Sequence, residues 1–234
     1  MKICVVSDLH GNLVQYPSDY WKGIEDCEVL FICGDIMPLR IQFDKEYSRD
    51  WLKNDFQTWT KSLPVNKVFF IGGNHDKYLR DNNQTMHILF NEFDKVTYLK
   101  HELIEYESIQ DSKVYRIFGT PYCKQFGNWP FMIPDDKLKE KYSEIPENVD
   151  IFISHDAPDV QNLGFIEEGK YAGQNAGSKL LAEALLLKKP KYAFNGHIHS
   201  GDHNLFEYNK TRWANCNILD EYYQIKYNPL IIEV

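Results

Sequence analysis

Val68-Phe69-Phe70-Ile71-Gly72-Gly73-Asn74-His75-Asp76 is a continuous apolar run that ends abruptly in two glycines and three polar residues. A run of that length without alternation suits a strand buried on both faces, and the glycines mark where it stops. The same construction recurs four times. Ile3 to Val6 precedes Ser7-Asp8-Leu9-His10, and Val29 to Cys33 precedes Gly34-Asp35. Ile151 to Ile153 precedes Ser154-His155-Asp156, and Tyr192 to Phe194 precedes Asn195-Gly196-His197-Ile198-His199.

The stretches between these runs carry helical signals. Trp51, Leu52, Phe56, Trp59 and Leu63 recur at a spacing near 3.6 and stop at Pro64, which predicts a helix. Leu180, Leu181, Ala184, Leu185 and Leu187 predict a second, from Ser178 to Lys189. His101 to Ser108 and Lys113 to Phe118 read as a hairpin, and short strands are expected at Leu205–Tyr208, Trp213–Ile218 and Leu230–Val234. Cys123 to Tyr142, with Phe126, Trp129, Phe131 and two prolines, reads as an irregular loop near a site. The pattern is that of an α/β or α+β domain, and one domain over residues 1–234 is expected.

Composition narrows the function. The 234 residues include 26 Lys+Arg against 34 Asp+Glu, a net charge of -8, so the surface as a whole repels polyanions. Extended nucleic acid is therefore a disfavoured partner. No apolar run reaches the roughly 18 residues of a spanning helix, and Asp8 and His10 interrupt the start too early for a secretory segment. A cytoplasmic location without membrane contact is the expectation. The five cysteines, Cys4, Cys27, Cys33, Cys123 and Cys216, are odd in number and scattered, which argues against a disulfide framework.

Nearly every strand end supplies a carboxylate, an imidazole or a carboxamide. In open α/β sheets, ligands bind beyond the carboxyl ends of the strands, so five such ends would converge on one crevice. Asp8 and His10, and likewise His197 and His199, are two apart, and on an extended segment each pair would face one side. The candidate ligands Asp8, His10, Asp35, Asn74, His155, His197 and His199 mix oxygen and nitrogen without thiolate. Such a set suits Mn²⁺, Fe or Zn²⁺ better than Ca²⁺ or Mg²⁺. Seven ligands exceed what one ion needs. Two ions sharing a carboxylate would use them, in the arrangement that clamps the attacking and leaving oxygens of a phosphoryl displacement.

With D-x-H at Asp8–His10, G-D at Gly34-Asp35, G-N-H-D at Gly73–Asp76, a lone His155 and G-H-x-H at Gly196–His199, the chain resembles the calcineurin-like metallophosphoesterase superfamily over residues 3–199. The resemblance implies a four-layer fold of two facing mixed β-sheets flanked by helices, with a dinuclear site at one edge. It implies Asp8, His10 and His199 on one ion, Asn74, His155 and His197 on the other, and Asp35 bridging. His75 would act on substrate as a general acid or charge stabiliser, with Asp76 orienting its imidazole. The cofactor expected is a pair of divalent ions, Mn²⁺ first, with Fe, Zn²⁺ or Ni²⁺ as alternatives.

Two departures shape the functional expectation. Gly34-Asp35-Ile36-Met37-Pro38-Leu39-Arg40 lacks the G-D-x-x-D-R-G of the Ser/Thr phosphatase branch, and Asp76 stands where that branch has Glu. Phe118-Gly119-Thr120-Pro121-Tyr122 with Asn128-Trp129 is similar to the small brain-type phosphodiesterase subgroup. The expectation is a dinuclear phosphodiesterase acting on small or nucleotide-like substrates through a water held and deprotonated between the ions. The alternatives are a nuclease of the same superfamily and a non-catalytic scaffold on the same fold. The other histidines have weaker claims: His87 and His101 are expected at the surface, and His203 follows the site closely.

Overall fold

The computed structural model describes residues 1–234, apart from the side chains of His87 and Asn91, so the expectation of a surface His87 lies outside what is described. Strands β1 (Lys2–Val6), β2 (Val29–Ile32), β3 (Lys67–Phe70) and β4 (Val96–Tyr98) run parallel in one sheet. The hairpin strands β5 (Glu102–Glu107) and β6 (Val114–Thr120) open a second sheet, and β7 (Cys123–Lys124) pairs only with β8 (Met132–Ile133). Strands β9 (Ile151–Ser154), β10 (Tyr192–Asn195), β11 (Phe206–Tyr208) and β12 (Thr211–Asn215) complete the second sheet, in the order β11-β12-β10-β9-β6-β5. The last strand, β13 (Leu230–Glu233), returns to the first sheet antiparallel to β1, giving β13-β1-β2-β3-β4.

The two sheets face each other, which explains why the apolar runs do not alternate. Alternate residues of each strand enter different cores. Ile3, Val5, Val29, Phe31, Phe69 and Ile71 of the first sheet meet Ile117, Ile151, Ile153, Phe194 and Ala214 of the second. The opposite face of the first sheet, with Cys4, Val6, Leu30, Ile32, Val68 and Phe70, is covered by Leu52, Phe56, Trp59, Leu79 and Phe90. The outer face of the second sheet, with Phe118, Phe152, Ala193 and Trp213, is covered by Leu138, Tyr142, Leu181 and Leu185. All five cysteines are buried and free.

Helices flank both sheets, so the expected layering is present. The helix expected from Trp51 begins earlier, as α1 (Lys45–Trp51), because the Asp44 carboxylate caps it by accepting from the Glu46 and Tyr47 amides at 3.1 Å. A π-helical turn at Leu52–Phe56 leads into α2 (Gln57–Ser62). The short helices α3 (Lys77–Asp81) and α4 (Met86–Asn91) follow β3. The reading of Cys123–Tyr142 as loop throughout is corrected by α5 (Asp135–Ser143), where Leu138 and Tyr142, four apart, are the buried positions. The last helix, α6 (Lys179–Lys188), is capped by Ser178 accepting from the Leu181 amide. Among the described residues, no helix is long and apolar enough to cross a membrane.

Candidate metal centre

The loops leaving β1 and β2 are zipped together. Asp8 N–H donates to the Gly34 carbonyl at 3.0 Å, His10 N–H to that of Asp35 at 2.9 Å, and Gly11 N–H to that of Ile36 at 3.0 Å. Asp8, His10, Asp35 and His197 have φ of 55°, 44°, 50° and 72°. Left-handed backbone at non-glycine residues costs on the order of 1–3 kcal/mol each and gathers where a site over-determines it. It also corrects the premise of an extended backbone at these pairs: Asp8 and His10 do meet at one centre, but a turn and not strand alternation brings them there. The glycines beside the ligands are required by contact. A Cβ at Gly34, where φ is 100°, would lie 2.5 Å from His155 Nδ1, and one at Gly196 would overlap Ser7 Oγ and Asp8 Oδ2.

Two groups of ligand atoms come within 4.8 Å of one another: Asp8, His10 and His199, and Asp8, Asp35 and His155. His199 Nε2 lies 3.5 Å from Asp8 Oδ1, while Asp35 Oδ2 lies 3.6 Å from His10 Nε2 and 3.4 Å from His155 Nε2. Asp8 belongs to both groups, and Asp35, a member of the second, also reaches His10 of the first. Asn74 Oδ1 is 2.8 Å from His155 Nε2. His197 sets its ring 5.0 Å from that of His155. His155 Nδ1 meets the Cys33 carbonyl at 2.9 Å, and His199 Nδ1 meets that of Asp220 at 2.8 Å. Each contact fixes the ring so that Nε2 points into the centre.

The centre calls for positive charge. Asp8 and Asp35 are buried, and burial opposes their ionisation, yet the His199 bond and the His155 charge hold both carboxyls below the usual range. Burial lowers His155 and His199 too, but the adjacent Asp35 and Asp8 outweigh it and raise them to about 10 and about 9. His10 and His197 are lowered by burial to about 4 and about 3. Asp8 Oδ1 and both ring nitrogens of His10 are buried without a hydrogen-bond partner. Buried polar atoms are seldom left so, and a cation bound at His10 Nε2, the nitrogen that faces Asp8 and Asp35, satisfies that nitrogen and Asp8 Oδ1 together. The donor set therefore fits divalent metal ions.

Asp76 does not orient His75. Its buried carboxylate accepts from the backbone amides of Gly73 (2.8 Å), Met37 (3.0 Å) and Ile36 (3.2 Å), tying the G-N-H-D loop to the G-D loop. With both oxygens so engaged, the contact to His75 Nδ1 is made by Gln42 Oε1 at 3.2 Å, a residue that no motif marks. The backbone N–H of His75 donates to Asp35 Oδ1 at 2.7 Å.

The aromatic segment divides. Trp129 lies 4.9 Å from His75 and is flanked by exposed Phe43 at 6.5 Å; Phe126 stacks on His197 at 5.6 Å. Phe131 is buried, and its ring would collide with a Cβ at Gly72, while Tyr122 packs beside His101. His101 is not a surface residue, since its ring sits between Thr120 Oγ1 (2.9 Å) and Glu144 (3.1 Å). Tyr223, unmarked by any motif, sets its ring 5.0 Å from His10 and 5.1 Å from His199.

Paired parallel-sheet edges converging on a mixed Asp/Asn/His centre define a metallophosphoesterase. Residues 1–201 match the calcineurin-like phosphoesterase family, and the chain belongs to that family. The human metallophosphoesterase domain-containing protein 1 is 31% identical over 99% of this chain and 70% of its own length, as is its mouse counterpart. The fold is similar to that of TT1561 of Thermus thermophilus, with a TM-score of 0.54 at 15% identity over 92% of this chain and 88% of that one. It is also similar to phosphopantetheinyl hydrolase from Mycobacterium tuberculosis, with a TM-score of 0.52 at 11% identity over 93% and 89%. The family is one of metal-dependent phosphoric ester hydrolases.

Proposed function

We propose that the chain is a phosphodiesterase that hydrolyses small or nucleotide-like phosphodiesters with two divalent ions, Mn²⁺ first and Fe, Zn²⁺ or Ni²⁺ as alternatives. The observation that carries this reading is the pair of partly exposed rings against the centre, Trp129 on His75 and Phe126 on His197. A flat leaving group entering between them gains stacking of roughly 1–3 kcal/mol per base. Asp8, His10 and His199 would hold one ion, Asn74, His155 and His197 the other, and Asp35 would reach both. When bound, the ions supply charge neutralisation at phosphorus and a lowered pKa for the attacking water.

The chain's own groups do the rest. The Cys33 and Asp220 carbonyls keep His155 and His199 facing inward. Gln42 accepts from His75 Nδ1, leaving Nε2 as the atom that delivers a proton to the departing oxygen. Asp76 holds the two loops in register, so that His75 and Asp35 keep their spacing. The test is a panel of aryl phosphodiesters, cyclic nucleotides and phosphomonoesters, assayed after chelation and after return of Mn²⁺, Zn²⁺, Ni²⁺ or Mg²⁺. Diester hydrolysis that exceeds monoester hydrolysis and returns with metal is expected; faster monoester hydrolysis, or none with any ester, overturns the proposal.

A further inference from the structure

A groove of about 970 Å³ begins at His10 and Tyr223 and runs between the Pro38–Ile41 loop and the helix wall that carries Tyr47 and Trp51. Its lining contains none of His75, Phe126 and Trp129. His75 stands at the mouth, its ring 5.2 Å from that of His10, and the proposed function seats the leaving arm between Trp129 and Phe126, so an arm running down the groove is the one that stays on phosphorus.

Two residues set the character of the groove. Tyr223 holds φ at 61°, a conformation that bulky residues seldom adopt. The turn is fastened by Asp220, whose carbonyl accepts from Tyr223 N–H and whose carboxylate accepts from the Tyr222 and Gln224 amides, all at 2.9 Å. Because the Asp220 carbonyl also receives His199 Nδ1, the Tyr223 turn is fixed relative to a metal-centre imidazole. Arg40 comes from the loop that carries Asp35, is exposed, lines the groove and makes no ion pair with any described residue. Of the carboxylates on the helix wall, Asp50 is held by Arg49 at 3.1 Å, and Asp55 is the other. A free guanidinium presents forked donors that suit a carboxylate or a phosphate.

We infer that this groove is the subsite for the retained arm of the ester, and that Arg40 makes it selective for an arm bearing a second anionic group, a carboxylate or a phosphate. The inference rests on the phosphodiesterase reading and names the substrate class more narrowly. Three diesters with one leaving group test it: 4-nitrophenyl phenyl phosphate, its 4-carboxyphenyl analogue and its 4-phosphonophenyl analogue. Because nitrophenolate departs in every case, kcat/KM ratios report only the retained arm.

The native protein loaded with Mn²⁺ should favour an anionic arm about tenfold, the size of one partly exposed charge-assisted contact. Arg40→Gln should bring that ratio near one, and Arg40→Lys should keep part of it. Tyr223→Ala should raise KM for all three substrates alike. The larger preference between carboxylate and phosphonate identifies the group. Turnover with the same ratio in native protein and Arg40→Gln overturns the inference alone; no turnover of any diester overturns the phosphodiesterase reading and the inference with it.

Discussion

Asp35 Oδ2 lies 3.4 Å from His155 Nε2, joining the end of a strand in one sheet to the end of a strand in the other. The two residues are distant in the chain, and the sheets meet at the centre through them. Asp35 also reaches His10 at 3.6 Å, so removing its charge should weaken both halves of the centre. Asp35→Asn should lose bound metal and turnover together. A ligand present at about 100 times its dissociation constant stabilises a fold by about 2.7 kcal/mol. The native protein should therefore unfold at higher urea with Mn²⁺ than after chelation, and the variant should show little of that difference. Elemental analysis together with the two urea curves checks this, and two retained ions with normal turnover would count against it.

His75 is expected to separate chemistry from metal binding. His75→Ala should keep its metal while kcat falls on the order of 10²–10⁴-fold, the usual cost of a lost general acid. The loss should be smaller for nitrophenolate, which needs little protonation on leaving, than for an alkoxide. Gln42→Ala should produce the same leaving-group dependence in weaker form, because Gln42 touches the ring and not the substrate. Asp76→Asn should instead lower stability, since its carboxylate holds three backbone amides. Equal losses for good and poor leaving groups in His75→Ala would assign His75 to charge stabilisation.

The strands and the ligand-bearing strand ends were legible because burial on both faces forces unbroken apolar runs, and because Asp, Asn and His at the end of such a run have little structural use. The grouping of Asp8, His10 and His199 was implied by the resemblance, and the three do come together, but the turn that brings them there was not legible. It depends on left-handed backbone at Asp8, His10, Asp35 and His197, which strand alternation does not predict. Nor could the sequence separate Asp76 from Gln42. The resemblance pointed to Asp76, but its two oxygens are taken by backbone amides of two different loops, leaving the ring to a residue from another segment. The helix Asp135–Ser143 was obscured by its charge, with only Leu138 and Tyr142 reaching the core. Carbonyl partners such as those of Cys33 and Asp220 leave no side-chain signal at all.

Trp129 and Phe131 are two residues apart and should fail differently. Phe131 is buried against Gly72, so Phe131→Ala should cost about 3–5 kcal/mol of stability, the usual range for a buried ring. Trp129 is half-buried and its ring faces His75. Trp129→Ala should leave metal content alone and raise KM for a nucleotide diester far more than for a small aryl diester. Thermal melts and KM values on the two substrates distinguish these outcomes. A Trp129→Ala protein that only melts earlier would place that ring in the core.

His203 offers a test of pH dependence away from the chemistry. Its ring stacks on Tyr227 at 3.5 Å, and its Nε2–H donates to the His199 carbonyl at 3.1 Å. Burial is the main cause that lowers its pKa to about 4, against about 6.5 in an unfolded chain. The folded state therefore binds fewer protons than the unfolded state between those values, and stability must fall as pH drops through that window. Above about pH 6.5 there is no penalty; at about pH 5 the linkage amounts to about 1–2 kcal/mol. His203→Phe keeps a flat ring against Tyr227 and cannot titrate. Chelated native protein should lose about 1–2 kcal/mol more than this variant between about pH 7 and about pH 5 in urea unfolding. Identical losses in the two proteins would mean that His203 is protonated in the folded state and that its stack on Tyr227 does not exclude the charge.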